Sequence, residues 1–208
     1  MEMSGLLSFI AVSMLLTISP GPDILYVITQ SITSGKRAGI ATAMGLCTGL
    51  IVHTTAAAFG VSEILRQSAI AFSILKYAGA AYLFYLAWQA FREGRAPYKE
   101  TAFVKKDGKS LYLQGIYMNI LNPKVALFFL AFLPQFVNIH SGNIPAQMVL
   151  LGSLFILQAI VIFTLVATFA GIFGDKLATN PKLTKHINFL KGSVFILIGA
   201  KLALGEIK

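Results

Sequence analysis

Residues 15–30 read LLTISPGPDILYVITQ: an apolar run that carries Pro20, Gly21, Pro22 and Asp23 at its middle. Proline has no amide hydrogen, and its ring clashes with the preceding turn. In hydrocarbon the carbonyls freed by a proline find no water to bond. A membrane-grade segment interrupted in this way predicts a broken helix with exposed backbone polar groups. The same device returns at residues 121–127, LNPKVAL. Proline suits the first helical position, and Gly or Asn suits the cap before it. Gly21–Pro22 and Asn122–Pro123 therefore each read as the start of a new half-helix at membrane depth. A single proline would be explained by a packing kink. Two breaks at matching places favour a functional reading, with Ser19, Pro20, Gly21, Pro22, Asn122 and Pro123 as the break motifs.

Composition sets the class. The chain has 208 residues, of which 56% are hydrophobic and only 12% charged, against about 25% charged in globular domains. A soluble core of this size cannot hide so much apolar surface, and the alternating segments of a β-barrel are absent. The expected fold is all-α and polytopic in the membrane. The net charge of +9 does not point to nucleic acid, because the basic residues cluster in short loops where they orient a membrane protein. The start MEMSG lacks a basic n-region, so the first apolar run is expected to stay as a helix.

Six spans can be drawn, at about Ser4–Gln30, Ala38–Ile64, Ala69–Phe91, Leu113–Phe136, Ala146–Phe173 and Phe189–Leu204. Eleven Lys and Arg fall on one side, from Lys36 and Arg37 through the polar segment Arg92–Ser110 to Lys176, Lys182 and Lys185; Arg66, Lys201 and Lys208 fall on the other. The basic side is expected in the cytoplasm, with both termini outside. GPDILY (21–26) parallels NPKVAL (122–127), and GAAYLFYLAW (79–88) parallels GSVFILIGAK (192–201). Three spans per half is odd, so the halves would be inverted repeats, a plan common among secondary transporters. The expected organisation is one domain over 1–208: repeat one at about 1–92, a connector at about 93–111, and repeat two at about 112–208.

Two charges lie well inside the spans, while Lys76 and Lys191 lie near span ends and can snorkel. Asp23 follows the first break and Lys124 the second. Intramembrane ionisable residues are costly and usually functional. Asp23 suits the positive N-terminal end of its half-helix. Lys124 meets the wrong end of its own, so an anion is expected beside it: Asp23, a ligand carboxylate, or each in turn. A zwitterionic amino acid matches both charges at one depth, its ammonium to Asp23 and its carboxylate to Lys124 and the exposed amides. Asn122 and Gly21 join this set as the caps of the half-helices. Asp23 could also carry a coupling proton.

His53, in the second span, either gates or relays protons or simply bonds between helices. Gln114, Asn119 and Gln158 either line a polar cavity or bond between helices. GLCTG (45–49) is a small-xxx-small packing pattern. Tyr82, Phe84, Tyr85 and Trp88 read as lipid-facing, interfacial or packing residues. Cys47 is the only cysteine, and His140 and His186 read as loop residues, so no metal-ligand cluster and no cofactor are expected.

SPGPD (19–23), GKRAGIATAMGLCTGLIVH (35–53), GAAYLFYLAWQAFR (79–92) and NILNPKVALFFLAFLPQF (119–136), in this order, resemble the LysE/RhtB family of amino-acid exporters. The resemblance implies a bacterial inner-membrane efflux protein, driven by the membrane gradient, whose partners are a small-molecule substrate and lipid. His53 after Gly45 and Gly49 is more similar to the RhtB branch, which implies threonine, homoserine or neutral amino acids. The family's motif residues match at Pro20, Gly21, Pro22, Asp23, Asn122, Pro123 and Lys124. The other readings are weaker. An ion or metal transporter wants more intramembrane ligands, and a membrane hydrolase wants a nucleophile with its base. A purely structural protein leaves Asp23 and Lys124 unexplained. Small packing residues permit a homodimer.

Overall fold

The computed structural model describes residues 3–19, 21–92, 107–138, 142–177 and 181–205. Pro20, most of the polar connector (93–106) and His140 lie outside the described residues. The described residues form helices α1 (Met3–Ile18), α2 (Pro22–Ser34), α3 (Lys36–Thr55), α4 (Ser62–Gln67), α5 (Ala69–Arg92), α6 (Gly108–Ile120), α7 (Pro123–Leu127), α8 (Ile144–Leu177) and α9 (Pro181–Leu204), with no strand among them. A π-turn over Ala56–Val61 joins α3 to α4. A second over Phe128–Phe132 follows α7 and leads into a 3-10 turn at Leu133–Phe136, which contains Pro134.

Local chemistry explains the boundaries. Gly21, extended at φ −148°, caps α2, and Pro22 stands in its first turn. Gly35 makes the turn between α2 and α3 at φ +87°, a conformation open to glycine and strained for other residues. Asp107 caps α6 by accepting from the Ser110 amide at 3.2 Å, and the Ser110 hydroxyl, with that amide, holds its carboxyl below the usual carboxylate range. Asn122 caps α7 by accepting from the Lys124 amide at 3.0 Å.

The bends fall at the two proline motifs. α1 and α2 meet at 54°, and α6 meets the segment Pro123–Phe136 at 49°. Among the described residues, Lys36–Ile64, Ala69–Arg92 and Ile144–Gly171 are long and apolar enough to cross a bilayer, and counting each bent pair as one span raises the total from three to five. The sixth expected span falls on α9, whose apolar part, Gly192–Leu204, is shorter. Residue 186, expected in a loop, is instead within α9, because the helix continues through the polar stretch PKLTKH.

α3 is the hub, packed on α2, α6 and α8; α1 and α2 also pack on α8, and α5 packs on α9. In a bilayer, helices associate through close packing, since lipid tails are as apolar as leucine. The α3–α6 contact shows how close that is. A Cβ on Gly45 would stand 2.0 Å from the Tyr112 carbonyl oxygen, and one on Gly115 2.5 Å from that of Thr42. Phe128 centres the core, its ring 5.1 Å from both Phe132 and Phe155. Outward faces carry large apolar side chains such as Ile70, Phe59 and Leu197, which suit lipid and not water. Phe84, Tyr85 and Trp88 are among these exposed residues, and Tyr85 stacks between Tyr82 and Trp88.

Candidate functional site

A helix carbonyl bonds to the amide four residues further on. Pro20, Pro22 and Pro123 lack that amide, so the carbonyls of Leu16, Ile18 and Asn119 lose their helical partners on covalent grounds alone. The packing supplies new partners for two of them.

At the first break the new partner is Lys124, from the other half of the chain. Its ammonium donates to the Leu16 and Ser19 carbonyls at 3.4 Å each and to Asp23 Oδ1 at 3.3 Å. All three are long for charge-assisted bonds, so the ammonium is shared among its acceptors. The ion pair is enclosed, with side-chain exposures of 5% for Lys124 and 4% for Asp23. The break explains why opposite charges collect here. It sets the negative end of α1, with its free carbonyls, beside the positive end of α2. Asp23 in the first turn of α2 meets the positive end. Lys124 starts α7, where a cation is unfavourable, but its long stem carries the charge across to the carbonyls of α1.

Gly21 lies against the pair. A Cβ there would come within 2.8 Å of Asp23 Oδ1 and 2.9 Å of Lys124 Nζ, so hydrogen is what fits without displacement. Ser19 and Asn122 are buried in the same region, and among the described residues Ser19 Oγ and Asn122 Nδ2 have no hydrogen-bond partner. Pro22 and Pro123 stand in the first turns of α2 and α7.

At the second break the Asn122 amide reaches the Asn119 carbonyl at 3.0 Å, and His53 adds a donor from another helix. Its Nε2 lies 3.0 Å from the Asn119 carbonyl oxygen. A carbonyl only accepts, so Nε2 carries the proton. The imidazole is buried and packs 5.8 Å from the Phe129 ring. Its hydrogen bond goes to Asn119, not to the ion pair. Asn119 Oδ1, also buried, has no partner.

Gln158 of α8 donates from Nε2 to Thr17 Oγ1 at 2.9 Å, beside the end of α1. Ser13 and Thr17 went unnoticed in the sequence; their signal is a pair of hydroxyls one helical turn apart, leading into the break. Gln114 lines a mostly apolar cavity of about 600 Å³ with Pro22, Tyr117, Leu121, Asn122 and Pro123. Among the described residues, no group of three or more His, Cys, Asp or Glu gathers to hold a metal ion.

The family model for the LysE type translocator matches residues 14–206. The chain belongs to this family. As a LysE type translocator it is a multi-pass membrane transport protein and not an enzyme. It is 35% identical over 196 residues to the homoserine/homoserine lactone efflux protein of Salmonella typhimurium, covering 94% of each chain. It is 33% identical over 211 residues to the uncharacterized membrane protein YrhP of Bacillus subtilis, covering 97% of this chain and all of that one. No solved structure matches this translocator.

Proposed function

We propose that this translocator exports amino acids or close derivatives across the bacterial inner membrane by secondary active transport, with neutral amino acids such as threonine or homoserine favoured. The observation that carries the reading is the buried Asp23–Lys124 pair, set between two broken helices and ringed by buried polar atoms without partners. A zwitterion meets that arrangement charge for charge. Its carboxylate takes the Lys124 ammonium with the Asn122 amide, and its ammonium takes Asp23, while Gly21 leaves room beside both. When the substrate leaves, the pair closes on itself or Asp23 takes a proton, which couples efflux to the proton gradient. His53 holds the second break in register. The relative from Salmonella typhimurium, a homoserine/homoserine lactone efflux protein, supports the substrate class.

The architecture of this reading is a single domain of six spans, built as two inverted three-span repeats. The packing fits that exchange. α3 on α6 corresponds to α8 on α1, while α5 on α9 and α3 on α8 each correspond to themselves. Polar side chains exchange likewise, His53 reaching the end of α6 and Gln158 the end of α1. Alternating access follows from one repeat moving against the other. The basic loops face the cytoplasm and both termini face outward.

The test is transport in proteoliposomes, with labelled amino acids and an imposed pH gradient, comparing wild type, Asp23→Asn and the double variant Asp23→Asn/Lys124→Gln. Removing one partner leaves a buried charge uncompensated, so the single variant should insert but lose stability and transport. The double variant should recover much of the stability and still not export. Normal efflux by either variant would rule out the pair as the substrate site. Failure of well-folded wild type to move any amino acid would turn the reading toward ions, tested in the same vesicles.

A further inference from the structure

We infer that Ser13, Thr17 and Gln158, at the contact of α1 with α8, form a side-chain subsite that takes an uncharged hydroxyl group of the transported molecule. The inference rests on the amino-acid efflux reading and assigns residues to its selectivity.

Gln158 is the only amide side chain between Met148 and Asp175, in the most apolar stretch of the chain. A polar side chain there is expensive unless its hydrogen bonds are made. Gln158 makes only half of them. Nε2 donates to Thr17 Oγ1 at 2.9 Å, while the buried Oε1 has no partner among the described residues. The orientation of the amide is fixed by chemistry. Thr17 already donates its one hydroxyl hydrogen to the Ser13 carbonyl at 2.9 Å, so it can only accept from Gln158, and Nε2 must face it. The atom left over is therefore an acceptor. One turn back on the same face of α1, Ser13 is fully buried and its Oγ also has no partner. Ser13 has a hydroxyl hydrogen to give.

One acceptor and one donor, both buried and both unmet, are matched together by a single hydroxyl. The ligand's O–H donates to Gln158 Oε1, and its oxygen accepts from Ser13. A charged group has no counter-charge here, since among the described residues no charged side chain bonds to the trio, and its burial would be costly. An alkyl group would leave both polar atoms as they are.

The position suits the reading. Thr17 follows Leu16, whose carbonyl receives the Lys124 ammonium. At about 1.5 Å of rise per residue, Thr17 stands about 3 Å along the axis from Ser19, and Ser13 about 9 Å. A molecule whose charged end occupies the ion pair would therefore point its side chain along α1 toward the trio.

The experiment measures initial export rates of labelled homoserine and of norvaline, which replaces the hydroxyl by a methyl, by the full chain in proteoliposomes. Wild type should favour homoserine. Gln158→Leu should lower the homoserine-to-norvaline ratio about tenfold, because a site built to bond a hydroxyl discriminates through its unpaired polar groups. Ser13→Ala, a smaller change, should lower it in the same direction and serves if Gln158→Leu does not insert. A wild type that moves both molecules without preference overturns this inference and leaves amino-acid efflux standing. So does a fall in both rates in proportion in the variants, which marks the trio as packing alone. A wild type that moves neither molecule nor any other amino acid overturns the efflux reading and this inference with it.

Discussion

The imidazole of His53 donates to the main-chain carbonyl of Asn119 at 3.0 Å, and that carbonyl is the one Pro123 deprives of the amide four residues on. The Asn122 amide reaches the same carbonyl at 3.0 Å, so the histidine is a second donor, supplied from another helix.

His53→Ala should therefore destabilise the protein by about 0.5–1.5 kcal/mol, the net worth of one hydrogen bond, since the carbonyl keeps the Asn122 amide. The check is thermal unfolding in detergent beside His53→Gln, whose amide can still donate and should recover part of the loss. Equal stability of the alanine variant and wild type would show that the Asn122 amide alone satisfies the carbonyl.

Gly21→Ala places a methyl within 2.8 Å of Asp23 Oδ1 and 2.9 Å of Lys124 Nζ. The flexible lysine end can yield, so stability should change little. The charges should be pushed from their positions, and efflux should fall about tenfold or more, as expected when reacting or binding groups are displaced by an ångström. Vesicle export measured with the melting curve separates the two effects.

Asn122→Ala removes the cap that accepts from the Lys124 amide at 3.0 Å. The expected cost is about 1 kcal/mol, and Asn122→Ser, which keeps an accepting oxygen, should restore it. Stability in the order wild type, Ser, Ala is the outcome to look for in unfolding curves.

Gly45→Val should be the most damaging change of these. A Cβ at that point would meet the Tyr112 carbonyl oxygen at 2.0 Å, and rigid backbone cannot yield as a side chain does. Separation of α3 from α6 should cost about 1–3 kcal/mol or more and lower the amount of folded protein recovered from membranes. Gly60, with nothing within 4 Å of its Cβ position, is the control, and Gly60→Ala should be tolerated.

Much of the fold was legible because the signals are covalent or periodic. The apolar runs marked the three long apolar helices and the two bent pairs to within several residues, since lipid admits only segments that satisfy their own backbone. The start of α9 was not legible, because a helix can continue through the polar stretch PKLTKH without any apolar requirement. The two bends were legible because proline lacks an amide in every fold. Even the orphaned carbonyls can be named from the chain alone, four residues before each proline.

What the sequence could not decide is which group answers each of those carbonyls. Lys124 stands 108 residues from Leu16 and 101 from Asp23, and His53 is 66 from Asn119. Local rules carry no information over such separations. Lys124 looked misplaced at the head of its own half-helix, and its partners became evident only once α7 lay against the end of α1. The sequence by itself determined a helical membrane chain with two breaks, a buried charge at each, and carbonyls in want of donors. The tertiary structure decided that the second charge serves the first break, that His53 serves the second, and that Gln158 and Ser13 are left with bonds to make. The reason is physical: a missing amide is a property of one residue, whereas its replacement depends on which helices pack together.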